Sequence, residues 1–250
     1  MNNRQRLAFP LMFLSIPLLW ILVTLIFQPS EFLFPSFPKV FGVLVEEWGR
    51  LMYHTGATLK IALLGYVLAN LVAIAIAVTY LYMKSFEEFS TPWTILIKNL
   101  PLPVYASILI VMMGDTLAPK VLVVIFFNFF PILANMSKGL REVDQVLIDR
   151  CYSLNASQWT VFRKVRMPAA LPYFIAAQEI ALTGAITGAI VSEWFFAQEG
   201  LGYLIVQAST EYRSDRLFAV GLLASVIAIF AYLGIRFLES YLFRWRRKMV

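Results

Sequence analysis

The sequence predicts an all-α polytopic membrane protein with six transmembrane helices and with both termini in the cytosol. Three observations predict it: the composition, the long charge-free runs and the placement of lysine and arginine. Of the 250 residues, 60% are hydrophobic, 15% aromatic and only 14% charged. Soluble domains hold about 45–50% apolar and about 25% charged residues, so this chain is expected to reside in a bilayer.

Three charge-free runs predict the first, second and sixth spans. They cover Leu7–Ser30, Ile61–Met83 and Leu217–Ile235. Each is long enough to cross about 30 Å of hydrocarbon. The first run lacks a small-residue cleavage site, so we interpret it as a retained helix rather than a signal peptide.

Three further spans are apolar but carry polar or charged side chains. They are Pro92–Met113 with Lys98, Val121–Met136 with Asn128 and Asn135, and Leu171–Ser192 with Glu179. Polar groups and irregular backbone are tolerated at membrane depth only where protein or a wet cavity satisfies them. These three spans are therefore expected to form the interior of a bundle.

The basic residues set the predicted orientation. With the N-terminus in the cytosol, 15 of the 21 lysine and arginine residues lie at or near the inner face. The other six lie outside: Lys39, Arg50, Lys60, Lys120, Arg213 and Arg216. The positive-inside rule favours this arrangement, and the net charge of +6 reflects topology and anionic lipid rather than binding of nucleic acid.

Several classes of function find no support in the residues. The single cysteine, Cys151, and the single histidine, His54, do not form a disulfide framework or a zinc site. No nucleophile, dyad or metal cluster of a membrane enzyme is visible, and no G-x-x-x-x-G-K-[ST] phosphate loop occurs. A six-helix secondary transporter or channel stays open as an alternative, although such proteins usually concentrate ionisable residues in several spans.

The connection between the fourth and fifth spans, 137–170, predicts a helix–turn–helix beneath the membrane. Asn155 tolerates the left-handed conformation that ends a first helix, and Ser157 can cap a second helix that Pro168 would end. Apolar residues recur at helical spacing in both: Val143, Leu147, Cys151 and Leu154 in the first, Trp159, Phe162 and Val165 in the second. The element could rest on anionic headgroups through Arg163, Lys164 and Arg166, or it could bind a cytosolic subunit.

The spacing of this connection resembles the cytoplasmic signature of ABC importer permeases. The matching positions are Asp149, Arg150, Cys151, Asn155, Val165, Met167 and Pro168. The residue types depart from that signature: Asp149 stands where the signature has Glu, its two alanines are absent, and Asn155 stands where it has Gly. Four longer segments are similar to permeases of the nitrate, sulfonate, taurine and pyrimidine-precursor group: LFPSFPKVFGVL (33–44), HTGATLKIALLGYVLA (54–69), LAPKVLVVIFFNFFPILANMSKGL (117–140) and AQEGLGYLI (197–205).

The resemblance implies one permease domain over 1–250, with a first helix and outer segment (1–53), a core (54–243) and a basic cytosolic tail (244–250). It also implies a second permease copy in the bilayer, two ATPase subunits that hold ATP and Mg²⁺, and an extracytoplasmic solute-binding protein. No cofactor would bind this chain. A homodimer is expected, and a heterodimer is the alternative. The residues implied in ATPase coupling are Asp149, Leu154, Asn155, Ser157, Trp159, Phe162, Val165 and Pro168, with Asp149 expected to pair with a basic residue of the ATPase and Leu154, Trp159 and Phe162 to form the buried contact.

Candidate residues of the pathway or gate are fewer. Glu179 is either a pathway residue or a carboxylate that pairs with Lys98 or caps a helix near the cytosolic interface. Asn128 and Asn135 are pathway candidates too, although such amides more commonly bond between helices. Near the outer face, an outer gate is expected from one carboxylate and a tight glycine turn: Glu193, Gly200, Leu201 and Gly202.

The expected solute is a small nutrient of the sulfonate, nitrate and pyrimidine-precursor range. An anion pathway would carry positive groups facing the cavity. Lys98 is predicted to lie close to the inner face, which leaves no basic residue near mid-membrane. The sequence therefore favours a neutral or cationic heterocycle over sulfonate or nitrate.

Overall fold

The computed structural model describes residues 15, 17–195 and 197–242. Within these residues every regular element is a helix. The elements are α1 Pro17–Phe27, α2 Phe37–Glu46, α3 Trp48–Tyr82, α4 Lys84–Asn99, α5 Leu102–Met113, α6 Leu117–Arg141, α7 Gln145–Ser153, α8 Gln158–Val161, a π-helix Phe162–Arg166, α9 Met167–Glu193, α10 Leu201–Thr210 and α11 Ser214–Leu242. The all-α prediction is confirmed.

Among the described residues, four helices are long and apolar enough to cross a membrane, and a bent pair brings the number to as many as five. The four are Trp48–Tyr82, Leu117–Arg141, Gln158–Glu193 and Ser214–Phe237, and the pair is α4 with α5. Each matches one of the predicted spans, although the helix Trp48–Tyr82 ends one residue before the predicted end at Met83. The remaining predicted span, Leu7–Ser30, lies partly outside the described residues, and α1 is its described helix. The predicted tail 244–250 lies entirely outside them.

The bent pair α4–α5 crosses the bundle once. Its two helices meet at 98°. Along the pair, contacts are made with successively earlier residues of α6: Glu87 with Arg141, Lys98 with Phe130, Tyr105 with Phe126, and Asp115, just beyond α5, with Lys120. The pair therefore runs antiparallel to α6 over most of its length, as a single broken span does and a re-entrant loop does not.

Helices α3, α6 and α9 form the packed centre. Ala69, Ala73 and Ala77 of α3 pack on Ile132 and other large side chains of α6. At three glycines the backbones approach so closely that an added Cβ would meet a neighbouring helix: Gly65 against Val124, Gly139 against Tyr173 and Gly184 against Asn128. Small residues at such contacts are typical of membrane helices, because close approach maximises van der Waals packing.

The bundle has two ends, which we name after the short helices that lie there. The α7 end holds α7, α8 and the π-helix, together with the ends of α3 and α6 and the start of α9. The α10 end holds α2 and α10, the starts of α3 and α6 and the end of α9. We use these two names below.

The prediction that Pro168 ends the second short helix is wrong. Residues Gln158–Glu193 run as one helix of 36 residues that passes through Pro168. The π-helix Phe162–Arg166 directly precedes the proline, and the N–H of Met167 donates to the carbonyl of Phe162. Proline lacks an N–H and its ring crowds the carbonyl four residues earlier, so the wider π turn accommodates it without a break.

We expect Gly65→Ala to lower stability by about 1–3 kcal/mol, because the new methyl group would overlap Val124 in a contact between two long helices. The matched control is Gly221→Ala, because Gly221 lies on a helix where an added Cβ meets nothing within 4 Å. The measurement is the thermal unfolding midpoint of both purified variants in the same detergent. Equal midpoints for the two variants would show that the α3–α6 contact is not tight.

Candidate functional site

The segment from α7 to α8 is a helix–turn–helix with both predicted boundary residues in place. The Asp144 carboxylate accepts from the Val146 N–H at 2.9 Å and so caps α7. Asn155 has φ 56°, which is the left-handed conformation expected after the first helix. The hydroxyl of Ser157 accepts from the Thr160 N–H at 3.2 Å and caps α8. Both local predictions are confirmed.

The apolar side chains of this segment divide into two groups. Ile148 and Val161 are buried. Leu154 is 83% exposed and Trp159 is 66% exposed. The remaining large exposed apolar side chains of α7 are Val146, Leu147 and Tyr152, and together with Leu154 and Trp159 we call them the α7–α8 surface. A protein surface outside the membrane rarely leaves so many large apolar groups uncovered.

Phe162 does not belong to the α7–α8 surface. Its ring stacks on Trp159 at 5.6 Å between centroids and lies 6.4 Å from the ring of Tyr82 at the end of α3. It packs against the core cluster of α3, α6 and α9. Phe162 therefore connects the exposed Trp159 to the bundle.

The other candidate residues of this segment are mostly exposed. Asp149 is exposed and accepts a hydrogen bond from the Gln145 side chain at 3.0 Å. Val165 is half-buried and Pro168 is exposed. Arg163 and Lys164 are exposed, whereas Arg166 donates to the Leu140 carbonyl at 2.9 Å. The segment is thus fastened to the end of α6 while Asp149 and its neighbours stay accessible.

A second set of contacts holds the α7 end together. Arg141 donates to both carboxylate oxygens of Glu87, at 2.8 and 2.6 Å, and to the carbonyl of Tyr80 at 2.9 Å. A bidentate guanidinium–carboxylate pair fixes direction as well as distance. The ends of α3 and α6 and the start of α4 are therefore held as one unit next to the α7–α8 segment.

At the α10 end, Glu193 lies at the centre of a buried polar network. Its side chain is almost fully enclosed, with the residue 1% exposed. One carboxylate oxygen accepts from the Thr58 hydroxyl at 2.9 Å and from the Gly202 N–H at 2.8 Å. The Leu201 N–H donates to the Thr58 hydroxyl at 2.8 Å, and the Gly200 N–H donates to Nδ1 of His54 at 3.0 Å.

The glycines of this network are required by space and by backbone conformation. Gly200 has φ 111°, which side chains rarely adopt, and a Cβ there would overlap the Glu193 carboxylate. A Cβ at Gly202 would overlap the carbonyl of Ile190. The sequence predicted a tight turn beside Glu193, and the structure places the carboxylate directly beneath that turn.

The remaining pathway candidates lie inside the bundle. Asn128 is buried between α6 and α9, and its amide donates to the Val124 carbonyl. Asn135 donates to the Pro131 carbonyl. These intrahelical bonds favour a packing role for both. Sequence reasoning missed Gln178, which is buried, accepts from the Tyr66 hydroxyl and donates to Asn70 at 2.9 Å.

Glu179 pairs with Arg236 at 3.2 Å, and the suggested pairing with Lys98 is wrong. Lys98 lies elsewhere, with Nζ 4.1 Å from the ring centre of Phe130. Phe130 is one residue from the midpoint of α6, so the ammonium group of Lys98 lies level with the middle of that candidate span and not with its inner end. The sequence argument against an anionic solute therefore loses its main premise.

An arginine cluster around Glu47 was also missed by sequence reasoning. One oxygen of Glu47 accepts from Arg216 at 2.8 Å and from Arg213 at 3.1 Å, and Arg50 lies within 3.6 Å of the other. Burial raises the pKa of Glu47, but the hydrogen bond from Arg216 and the three positive charges outweigh burial and hold its pKa below the usual value. The cluster joins the start of α3 to the start of α11.

The family follows from a comparison with known proteins. The family model described as "Binding-protein-dependent transport system inner membrane component" matches residues 65–247. The chain belongs to this family. It is a multi-pass inner-membrane permease subunit of an ABC transporter and not itself an ATPase. The secondary transporter or channel alternative is thereby set aside.

Three relatives are similar over most of their length. The formylaminopyrimidine transport permease protein ThiX of Halalkalibacterium halodurans is 29% identical, covering 99% of each chain. The riboflavin transport system permease protein RibX of Chloroflexus aurantiacus is 31% identical, covering 98% of this chain and 94% of its own. The putative aliphatic sulfonates transport permease protein SsuC of Bacillus subtilis is 26% identical, covering 79% of this chain and 72% of its own.

Solved structures confirm the permease fold. An amino acid ABC transporter chain superposes with a TM-score of 0.64, covering 80% of this chain and 96% of its own. Its sequence identity is 16%, so the likeness concerns the fold alone.

We expect Glu193→Ala to loosen the turn at Gly200, because the buried Gly202 N–H would lose its acceptor and the Thr58 hydroxyl would keep only its 3.3 Å bond to the His54 carbonyl. Each unsatisfied donor costs about 1–3 kcal/mol. The control is Glu193→Gln, which keeps one acceptor oxygen and nearly the same volume. The measurement is the rate of limited proteolysis between Trp194 and Gly200 in reconstituted permease; equal rates for both variants would contradict the network's role in holding the turn.

Proposed function

We propose that this chain is one of two permease subunits of an ATP-driven importer and that the α7–α8 surface binds a separate ATPase subunit. The observation that carries the proposal is the fully formed helix–turn–helix with its exposed Leu154 and Trp159. The family requires an energy source outside this chain. An exposed apolar surface next to a firmly held end of the bundle is suited to bind the subunit that supplies this energy.

The orientation of the chain supports this assignment. Basic residues gather at the α7 end: Lys138, Arg141, Arg150, Arg163, Lys164 and Arg166. By the positive-inside rule this end faces the cytosol, where ATP is available. The α10 end then faces outward, with its glycine turn as an outer gate beneath the solute-binding protein. The first helix completes six spans with both termini inside.

Asp149 fits the expected charge contact with the ATPase. Its carboxylate is exposed, and its hydrogen bond from Gln145 leaves it accessible. We propose that Asp149 pairs with a basic residue of the ATPase while Leu154 and Trp159 fill an apolar pocket of that subunit. Phe162 supports Trp159 from behind, and Asn155 and Ser157 fix the angle between the two helices.

The second permease copy is proposed from the exposure of α4, and the class of solute from the names of the relatives. A homodimer would cover the exposed face of α4, a helix without a buried residue. The solute is proposed to be a small heterocyclic nutrient, with ThiX and RibX, both named for heterocycles, in support; SsuC, named for sulfonates, keeps anions in the range to be tested.

We expect Trp159→Asp to weaken ATPase association by roughly 5-fold to 150-fold, because it places a charge in an apolar contact. The control is Tyr212→Asp, which puts the same charge on an exposed aromatic position, 73% exposed, at the α10 end. The measurement is ATPase retained on tagged, detergent-purified permease, together with solute-stimulated ATP hydrolysis in proteoliposomes.

Equal ATPase retention by the wild type, Trp159→Asp and Tyr212→Asp proteins would exclude the α7–α8 surface as the binding site. Phe162→Asp is a poorer test, since Phe162 packs on Tyr82 and on the core cluster. We expect that variant to lose thermal stability as well as ATPase binding.

A further inference from the structure

The break between α4 and α5 places irregular backbone about halfway along the bundle, on a side where Asn99, Leu100 and Pro101 are exposed. α4 ends at Asn99 and α5 begins at Leu102, and the contact of Lys98 with Phe130 sets the break near the midpoint of α6. At this depth lipid offers no hydrogen bonds. Non-helical backbone is tolerated there only where it is buried in protein or lines a water-filled cavity.

A cavity of about 300 Å³ lies at this break. Its walls include Lys98, Tyr105 and the three rings of Phe126, Phe127 and Phe130. The volume is at the lower limit of small-molecule sites, which start at about 300 Å³, and so suits one or two rings. Aromatic walls with a single positive group are a specific combination, because they offer stacking on the faces and one fixed charge at an edge.

Lys98 has no carboxylate partner within the described part of the chain. Its Nζ contacts the face of Phe130, and Glu179, the carboxylate suggested for it by the sequence, is paired with Arg236. A charge at mid-membrane depth costs at least about 2.5 kcal/mol on insertion scales, and such residues usually face a wet cavity or a ligand. The cavity therefore presents an ammonium group whose donors are available to an acceptor.

We propose that this cavity is a transit site for a planar aromatic or heterocyclic solute that carries an anionic or strongly accepting group at its edge. The proposal rests on the proposed importer function and specifies the class of solute. The rings of Phe126, Phe127 and Phe130 would contact the faces of the solute, and Lys98 would donate to its acceptor edge. A cationic solute would be repelled, and a small inorganic anion would leave the aromatic walls unfilled.

The single cysteine of the chain makes a direct test possible. In a Cys151→Ser background, Leu100→Cys places a thiol in the cavity wall, and Val111→Cys places a control thiol at an exposed position of α5 outside the cavity. Thiol reaction rates are measured with an anionic and a cationic methanethiosulfonate reagent on the permease purified with its ATPase and reconstituted in nanodiscs. Each pair is repeated with Lys98→Met and with Lys98→Arg.

We expect the thiol at position 100 to react faster with the anionic reagent, and Lys98→Met to reduce the anionic-to-cationic rate ratio by roughly tenfold. Lys98→Arg should retain the ratio, and position 111 should respond to neither change. Nicotinate should protect position 100, nicotinamide should protect it less, and the pyridinium cation of nicotinamide methylated on its ring nitrogen should not protect it.

Three results would overturn the proposal. One is an absence of reaction at position 100, which would show a cavity filled by acyl chains. Another is a rate ratio independent of Lys98, and the third is equal protection by the planar anion and the planar cation. Loss of the ATPase during purification would instead count against the proposed importer function, and the labelling pattern of the permease alone would then still decide whether the cavity selects planar anions.

Discussion

Backbone and charged groups at membrane depth must be satisfied within the protein, and this constraint governs every irregular feature of the bundle. Within the described residues, the chain departs from regular α-helix beside the packed helices at the break after Asn99, the π-helix before Pro168 and the turn at Gly200. Each departure lies against α6 or α9 or inside the Glu193 network. At the break, Asn99, Leu100 and Pro101 are exposed on the single chain, so a water-filled cavity or a second copy of the permease must satisfy the backbone there.

The same constraint joins the two ends of the molecule. Residues Gln158–Glu193 form one helix from the cap at Ser157 to the carboxylate that holds the glycine turn. Because the π-helix lets this helix pass through Pro168, a displacement of α8 is carried along a continuous rigid element to the opposite end. Close glycine contacts with α6 mean that α9 cannot move without repacking its neighbour. If the ATPase binds the α7–α8 surface as proposed, this arrangement would let its movement shift the bundle between two packed states.

Local sequence patterns predicted the local structure well. The charge-free runs at 61–83 and 217–235 lie in α3 and α11, and Asn155 and Ser157 occupy the turn and cap that their side chains favour. Contacts between distant segments could not be predicted, because spacing does not reveal which helices are neighbours. The pairing of Glu179 with Arg236 joins residues 57 positions apart. The position of Lys98 along the bundle depends on where the pair α4–α5 bends, which the sequence does not reveal. The helix Gln158–Glu193 continues through Pro168 because the Met167 N–H donates to the Phe162 carbonyl, and this shift of the hydrogen bond has no sequence signature.

The most direct test of ATPase binding at the α7–α8 surface is site-specific photo-crosslinking in intact membranes. A photoreactive phenylalanine analogue replaces Trp159 in one variant and Tyr212 in another, since both positions are exposed and lie at opposite ends of the bundle. The crosslinked product is then identified by mass spectrometry. We expect position 159 to crosslink to a nucleotide-binding ATPase subunit and position 212 not to do so. Crosslinking of position 159 to lipid alone, with the ATPase present in the same membranes, would contradict the proposed coupling.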